Sequence, residues 1–155
     1  MTKGGFMIGL KFNIENKYDI ILKKIFENID LNNYKWHITD DEILTVKGDD
    51  FFSNQEYENN DFQKIVTKLH YPIFLTLELW PKTNNITEIK NYADFMQKKC
   101  ELILFITDTS YVEIYSKQEK ILEAILRNVK RHDIKESEII TNNGRKRKKF
   151  SAYFD

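Results

Sequence analysis

The chain has one cysteine, two prolines, five glycines and three histidines in 155 residues, and each shortage removes a class of protein. Cys100, alone, can form no internal disulfide, so a disulfide scaffold is out and a reducing compartment is the natural home. One cysteine and three dispersed histidines also give none of the ligand spacings of zinc sites. The five glycines, Gly4, Gly5, Gly9, Gly48 and Gly144, build no phosphate-cradling loop, which argues against a nucleotide-dependent enzyme. No apolar run approaches the roughly 20 residues of a membrane span. The opening MTKGGFMIGLKFNI lacks the apolar core and small-residue cleavage site of a secretory signal, so a cytoplasmic protein is expected. Net charge is zero, with no global pull toward nucleic acid or membrane. The acidic stretches Asp40-Asp41-Glu42 and Asp49-Asp50 lack the alternation of a calcium loop, and no metal or cofactor is expected.

What is present is a folding composition: 41% hydrophobic residues, with 11 Phe and 8 Tyr. A chain of this length buries roughly 70% of its unfolded surface around one core, so residues 1–155 are expected to form one domain. Charge is uneven along it. Residues 1–61 carry 12 acids and 7 bases, hence −5, whereas residues 62–155 carry 12 acids and 17 bases, hence +5.

The pattern centres on Cys100–Tyr115. Leu102 to Ile106 is apolar on both faces, as in a strand covered above and below. Thr107-Asp108-Thr109-Ser110 breaks it, and Tyr111 to Tyr115 resumes with alternation, so the whole reads as a hairpin. Upstream, Phe6 to Ile14 alternates as a strand in which Gly9 is a thin spot. Tyr18, Ile21, Leu22, Ile25, Phe26 and Ile29 follow helical spacing, with Asn16 as the expected N-cap. Tyr34 to Thr39 and Ile43 to Lys47 read as two strands joined by a turn at Asp40-Asp41, and residues 49–60 as a loop. A short helix carries Phe62 to Leu69, capped by Asn60 or Asp61, and a strand spans Ile73 to Leu79 between two prolines. Asn91 caps another short helix. Ser116 to Glu119 has the form of a capping box before a long helix with Ile121, Leu122, Ile125, Leu126 and Val129 on one stripe. Glu138–Thr141 and Phe150–Phe154 complete the strands. The fold class expected is α+β: a mixed, mainly antiparallel sheet with two long helices on one face and two short ones.

Four stretches offer chemistry. The loop residues Asp49, Asp50, Phe51, Phe52, Glu56, Tyr57 and Glu58 combine acidic charge for steering with aromatics of the kind that anchor interfaces. This makes another protein, one with a basic surface, the expected partner. Arg145, Lys146, Arg147, Lys148 and Lys149, with the neighbouring basic residues Lys117, Lys120, Arg127, Lys130, Arg131 and Lys135, form the alternative, a surface for phosphate or nucleic acid. His37-Ile38-Thr39 is an H-x-T triplet of the sort that two-histidine phosphoesterases use in pairs, one His as base and one as acid. Neither His70-Tyr71-Pro72 nor His132-Asp133-Ile134 supplies the second triplet. Asp108 to Ser110 carries turn-forming residues, and Cys100 begins a buried strand as a small hydrophobe.

The strand Asn33-Tyr34-x-Trp36, the helix start Tyr92-x-Asp94-Phe95, and Cys100-x-Leu102 followed by Asp108-x-x-Tyr111-Val112-x-Ile114-Tyr115 resemble a family of small proteins from Bacillus-like low-GC bacteria, known only as a domain of unknown function. The resemblance covers most of the chain and carries no catalytic residues over. In size, in its acidic half and in α+β build, the chain is also similar in type to immunity proteins of bacterial contact-dependent toxin systems. The expected function is therefore non-enzymatic protein binding, with toxin neutralisation as its specific form.

Overall fold

Leu102–Thr107 (β5) lies at the centre of the sheet, as its two-sided apolarity requires: Leu102, Leu104 and Ile106 fill one face, Ile103 and Phe105 the other. The structure, a computed structural model, describes residues 6–135, 137–142 and 150. In chain order its elements are β1 (Met7–Asn13), α1 (Ile21–Phe26), β2 (Tyr34–Leu44), β3 (Glu56–Glu58), α2 (Asn59–Ile65), β4 (Tyr71–Pro81), α3 (Tyr92–Gln97), β5, β6 (Tyr111–Ser116), α4 (Glu119–Arg131) and β7 (Glu138–Thr141). The seven strands form one sheet in the order β3-β2-β4-β5-β6-β1-β7. Among the described residues every pairing is antiparallel, and the protein is α+β.

The larger core lies on the face carrying Leu10, Trp36, Leu77, Leu104 and Ile114, covered by the apolar sides of α1, α2 and α4. The opposite face holds a second cluster, in which Tyr92 and Phe95 of α3 meet Trp80, Phe105, Tyr115 and Phe150. Phe150 packs edge-on against Tyr92 and Phe105. The rest of the expected last strand lies outside the described residues.

Several local expectations differ in detail. Asp40-Asp41 is not a turn: β2 runs through it as one strand, with register shifts between Ile38 and Asp40 and between Glu42 and Ile43. These β-bulges absorb the break in alternation that reads as a turn in sequence. Helix α1 covers only Ile21–Phe26. Asn16 does not cap it, because its side chain accepts from Ser110 Oγ at 2.6 Å and Thr109 Oγ1 at 2.8 Å, and Asp19 instead receives the Ile20 N–H. The capping box at Ser116 does not close. Ser116 Oγ accepts from the Gln118 N–H, while Glu119 accepts from the Met7 N–H of β1. Asn91 does cap α3, accepting from the Asp94 N–H at 2.9 Å. The residues expected as loop 49–60 include the short strand β3, and α2 begins at Asn59 without a side-chain cap.

Candidate functional site

Where β2, β4 and β5 run past the end of α3's cover, the sheet leaves a cleft of about 1110 Å³. Its floor includes Thr76, Glu78, Ile103 and Phe105, its β2 wall His37, Asp40 and Glu42, and its far rim Ile86 to Lys90. Period-two alternation explains the floor. Leu75, Leu77 and Leu79 of β4 enter the main core, so Thr76 and Glu78 must face the other way.

Glu78 is 2% exposed, and its burial is compensated by two donors. His37 Nδ1–H donates to Glu78 Oε1 at 3.0 Å from the paired position on β2, and Trp80 Nε1–H donates to the same oxygen at 2.9 Å. The carboxylate acceptor makes Nδ1 a protonated ring nitrogen and fixes the orientation of the ring.

Around this dyad the charge is one-sided. Asp40, Asp41, Glu42, Glu56, Glu78 and Glu88 line the cleft against Lys90 alone among lysines and arginines. Some of these acids are compensated: Glu56 pairs with Lys35 at 3.2 Å and Glu88 with Lys90 at 4.0 Å. Asp40, Asp41 and Glu42 have no cationic partner among the described residues. Partial burial, with the neighbouring Asp50 and Asp40 carboxylates, raises the Asp41 pKa above the ordinary value. Such a surface attracts cations and repels phosphates.

The loop residues divide by chemistry. Phe51 and Phe52 are buried: Phe51 packs on His70 and Phe52 stacks with Phe62, so both belong to the core. Tyr57 is half-buried and accepts from the Asn54 N–H at 2.7 Å. Asp49, Asp50, Glu56 and Glu58 are exposed. Asp49 has its pKa lowered by the Thr45 hydroxyl, and Glu58 lies 3.8 Å from Lys82. What this segment presents to solvent is polar and acidic.

The three histidines do not meet. His37 borders the cleft, His70 is wholly buried on the other side of the sheet, and His132 pairs with Glu27 at the end of α4. Asp108 and Thr109 form the β5–β6 turn, both with left-handed backbone (φ 52° and 64°). Burial pushes the Cys100 thiol pKa far up, so it stays protonated, its Sγ donating to the Leu102 carbonyl. Residues 145–149 lie outside the described residues. Of their basic neighbours, Arg131 is paired with Glu27, and Lys117 is half-buried over the Phe95 ring. Among the described residues no three His, Cys, Asp or Glu groups come together to hold a metal ion. No described helix is long and apolar enough to cross a membrane.

Sequence reasoning missed Glu78, Thr76 and the 86–90 rim. The signal for Glu78 was available, since a carboxylate inside the apolar run Leu77-Glu78-Leu79 needs a buried partner. Which partner depends on register across two strands.

These features define an antiparallel α+β protein with an acidic cleft on its second face. The chain belongs to the family described as protein of unknown function (DUF2691), which it matches over residues 7–151. It is 31% identical over 140 residues to the uncharacterized protein YncE of Bacillus subtilis (strain 168), across 86% of this chain and 92% of that protein. No solved structure matches.

Proposed function

We propose that the protein works by binding another protein, through the acidic cleft and the β2 strand that borders it, and that the partner presents a basic surface. The observation that carries this reading is the run Asp40-Asp41-Glu42, three successive acids with Asp40 and Glu42 on the cleft side and Asp41 toward Asp50, with no cation to neutralise them among the described residues. Repulsion among these carboxylates favours a cationic partner. The functional form this suggests is neutralisation of a basic toxin. A phosphodiesterase built on His37 draws less support, because the surrounding carboxylates repel a phosphodiester and the other two histidines lie elsewhere.

Titrating the full chain with a fluorescent Lys- and Arg-rich peptide at several salt concentrations tests the reading. Binding should weaken as salt rises, and Asp40→Asn/Asp41→Asn/Glu42→Gln should lower affinity by at least about 10-fold. Unchanged affinity in that variant overturns it. For the toxin form, co-expression with a basic toxin encoded beside the gene should protect cells, and the same triple variant should not.

A further inference from the structure

Strand β2 is eleven residues long, but its outer neighbour β3 has only three. Their pairing covers Lys35, Trp36 and His37, and the last bond on that side runs from the Ile38 N–H to the Gln55 carbonyl at 2.8 Å. From Thr39 to Leu44 no further strand lies beside β2 among the described residues, and Thr39 to Glu42 are exposed.

The direction of the free backbone groups follows from β4. The carbonyls of Leu79 and Ile73 accept from Glu101 and Thr109, on the β5 side. Alternation turns Thr76 and Phe74 toward β2, where they pair with Asp40 and Glu42. Asp41, between them, therefore points its N–H and C=O away from the sheet. Six residues of open edge span roughly 20 Å, the length of an ordinary strand.

An open edge invites indiscriminate pairing, and charges and bulges are how proteins discourage it. This edge has both, with two register shifts and three successive acids. The charge has one sign and sits on both faces: Asp40 and Glu42 follow the cleft side, and Asp41 lies near Asp50 on the other. That arrangement repels acidic strands and favours one with basic side chains.

We infer that residues 39–44 are a docking edge on which an extended, Lys- and Arg-bearing segment of another protein adds as an eighth strand. Main-chain hydrogen bonds to Asp41 supply the register, and the carboxylates supply the choice of partner. The inference rests on the proposed acidic protein-binding surface and specifies how it is used.

The probe is a short synthetic peptide of Lys, Arg, Thr and Val without Pro, compared with the same peptide N-methylated at alternate residues. N-methylation keeps the charge and removes the backbone donors. Residue-resolved amide exchange of the full chain is followed with each. In the free chain the Asp41 amide should exchange fast, and saturating peptide should slow it at least about 10-fold, while the N-methylated peptide binds at least about 10-fold more weakly. Equal, salt-sensitive binding of both peptides with a fast Asp41 amide overturns strand addition and leaves the acidic surface standing. Binding of neither overturns both. A slow Asp41 amide without peptide shows the edge already covered and also overturns the inference.

Discussion

The backbone N–H of Leu22 donates to His70 Nε2 at 3.2 Å, while His70 Nδ1–H donates to the Lys68 carbonyl at 2.7 Å. One ring nitrogen must accept and the other donate, so His70 is neutral in the folded protein. Burial holds its pKa below the ordinary 6.5. On acidification the unfolded chain takes up this proton first, so stability is full above about pH 6.5 and falls as pH drops toward the lower folded value. Urea denaturation from neutral pH to pH 5 should show this decline. His70→Phe should flatten it, while losing about 1–3 kcal/mol at neutral pH through the unpaired Leu22 N–H and Lys68 carbonyl. A second acid limb belongs to Glu27, whose pKa is held below 4.5 by its hydrogen bond with His132 and then with Lys23. Its contribution is present above pH 4.5 and is lost as pH falls below that.

Gly9 is required by proximity. A Cβ there would lie 2.6 Å from the Ile114 carbonyl oxygen and 3.0 Å from the Tyr115 ring, on strands that cannot move apart without breaking the β1–β6 ladder. Gly9→Ala should cost about 1–3 kcal/mol, read as a lowered urea midpoint with an unchanged slope.

The β5–β6 turn offers the opposite result. Asp108 and especially the β-branched Thr109 hold left-handed backbone angles that glycine adopts freely. Thr109→Gly gives up the bond to Asn16 but keeps the Ser110 bond to the same oxygen. It should gain about 1 kcal/mol and raise Tm by about 2–4 °C in a thermal melt.

Glu78 anchors the floor of the cleft. Glu78→Ala strands the buried Trp80 Nε1–H and removes the acceptor of His37, and should cost about 2–3 kcal/mol. Glu78→Gln keeps an accepting oxygen and should cost less. Equal loss in the two variants, measured by denaturation followed through tryptophan fluorescence, would show that charge rather than hydrogen bonding matters there.

Local patterns carried the sheet well. The double-sided apolar run at 102–106 is the central strand, Asn91 caps α3, and the Ser116 segment precedes the long helix. Patterns failed where a side chain had a distant competitor. Asn16 looks like a helix cap but is taken by Thr109 and Ser110, which lie 93 and 94 residues away in the chain. Glu119 looks like the closing half of a capping box but accepts from Met7 of β1. Asp40-Asp41 looks like a turn because two bulges imitate one. Phe51 and Phe52, grouped with their acidic neighbours in sequence, separate from them in space because only the rings gain by leaving water.

Residue type and spacing within a few positions were enough for the fold class, the central hairpin and the acidity of Asp40-Asp41-Glu42. It took the packed sheet to place this acidic run on a strand edge with no outer neighbour among the described residues, and to join His37 and Glu78, 41 residues apart, by a hydrogen bond beside it. Both depend on which strands become neighbours and in what register, and those are set by burying two apolar faces at once across the whole sheet.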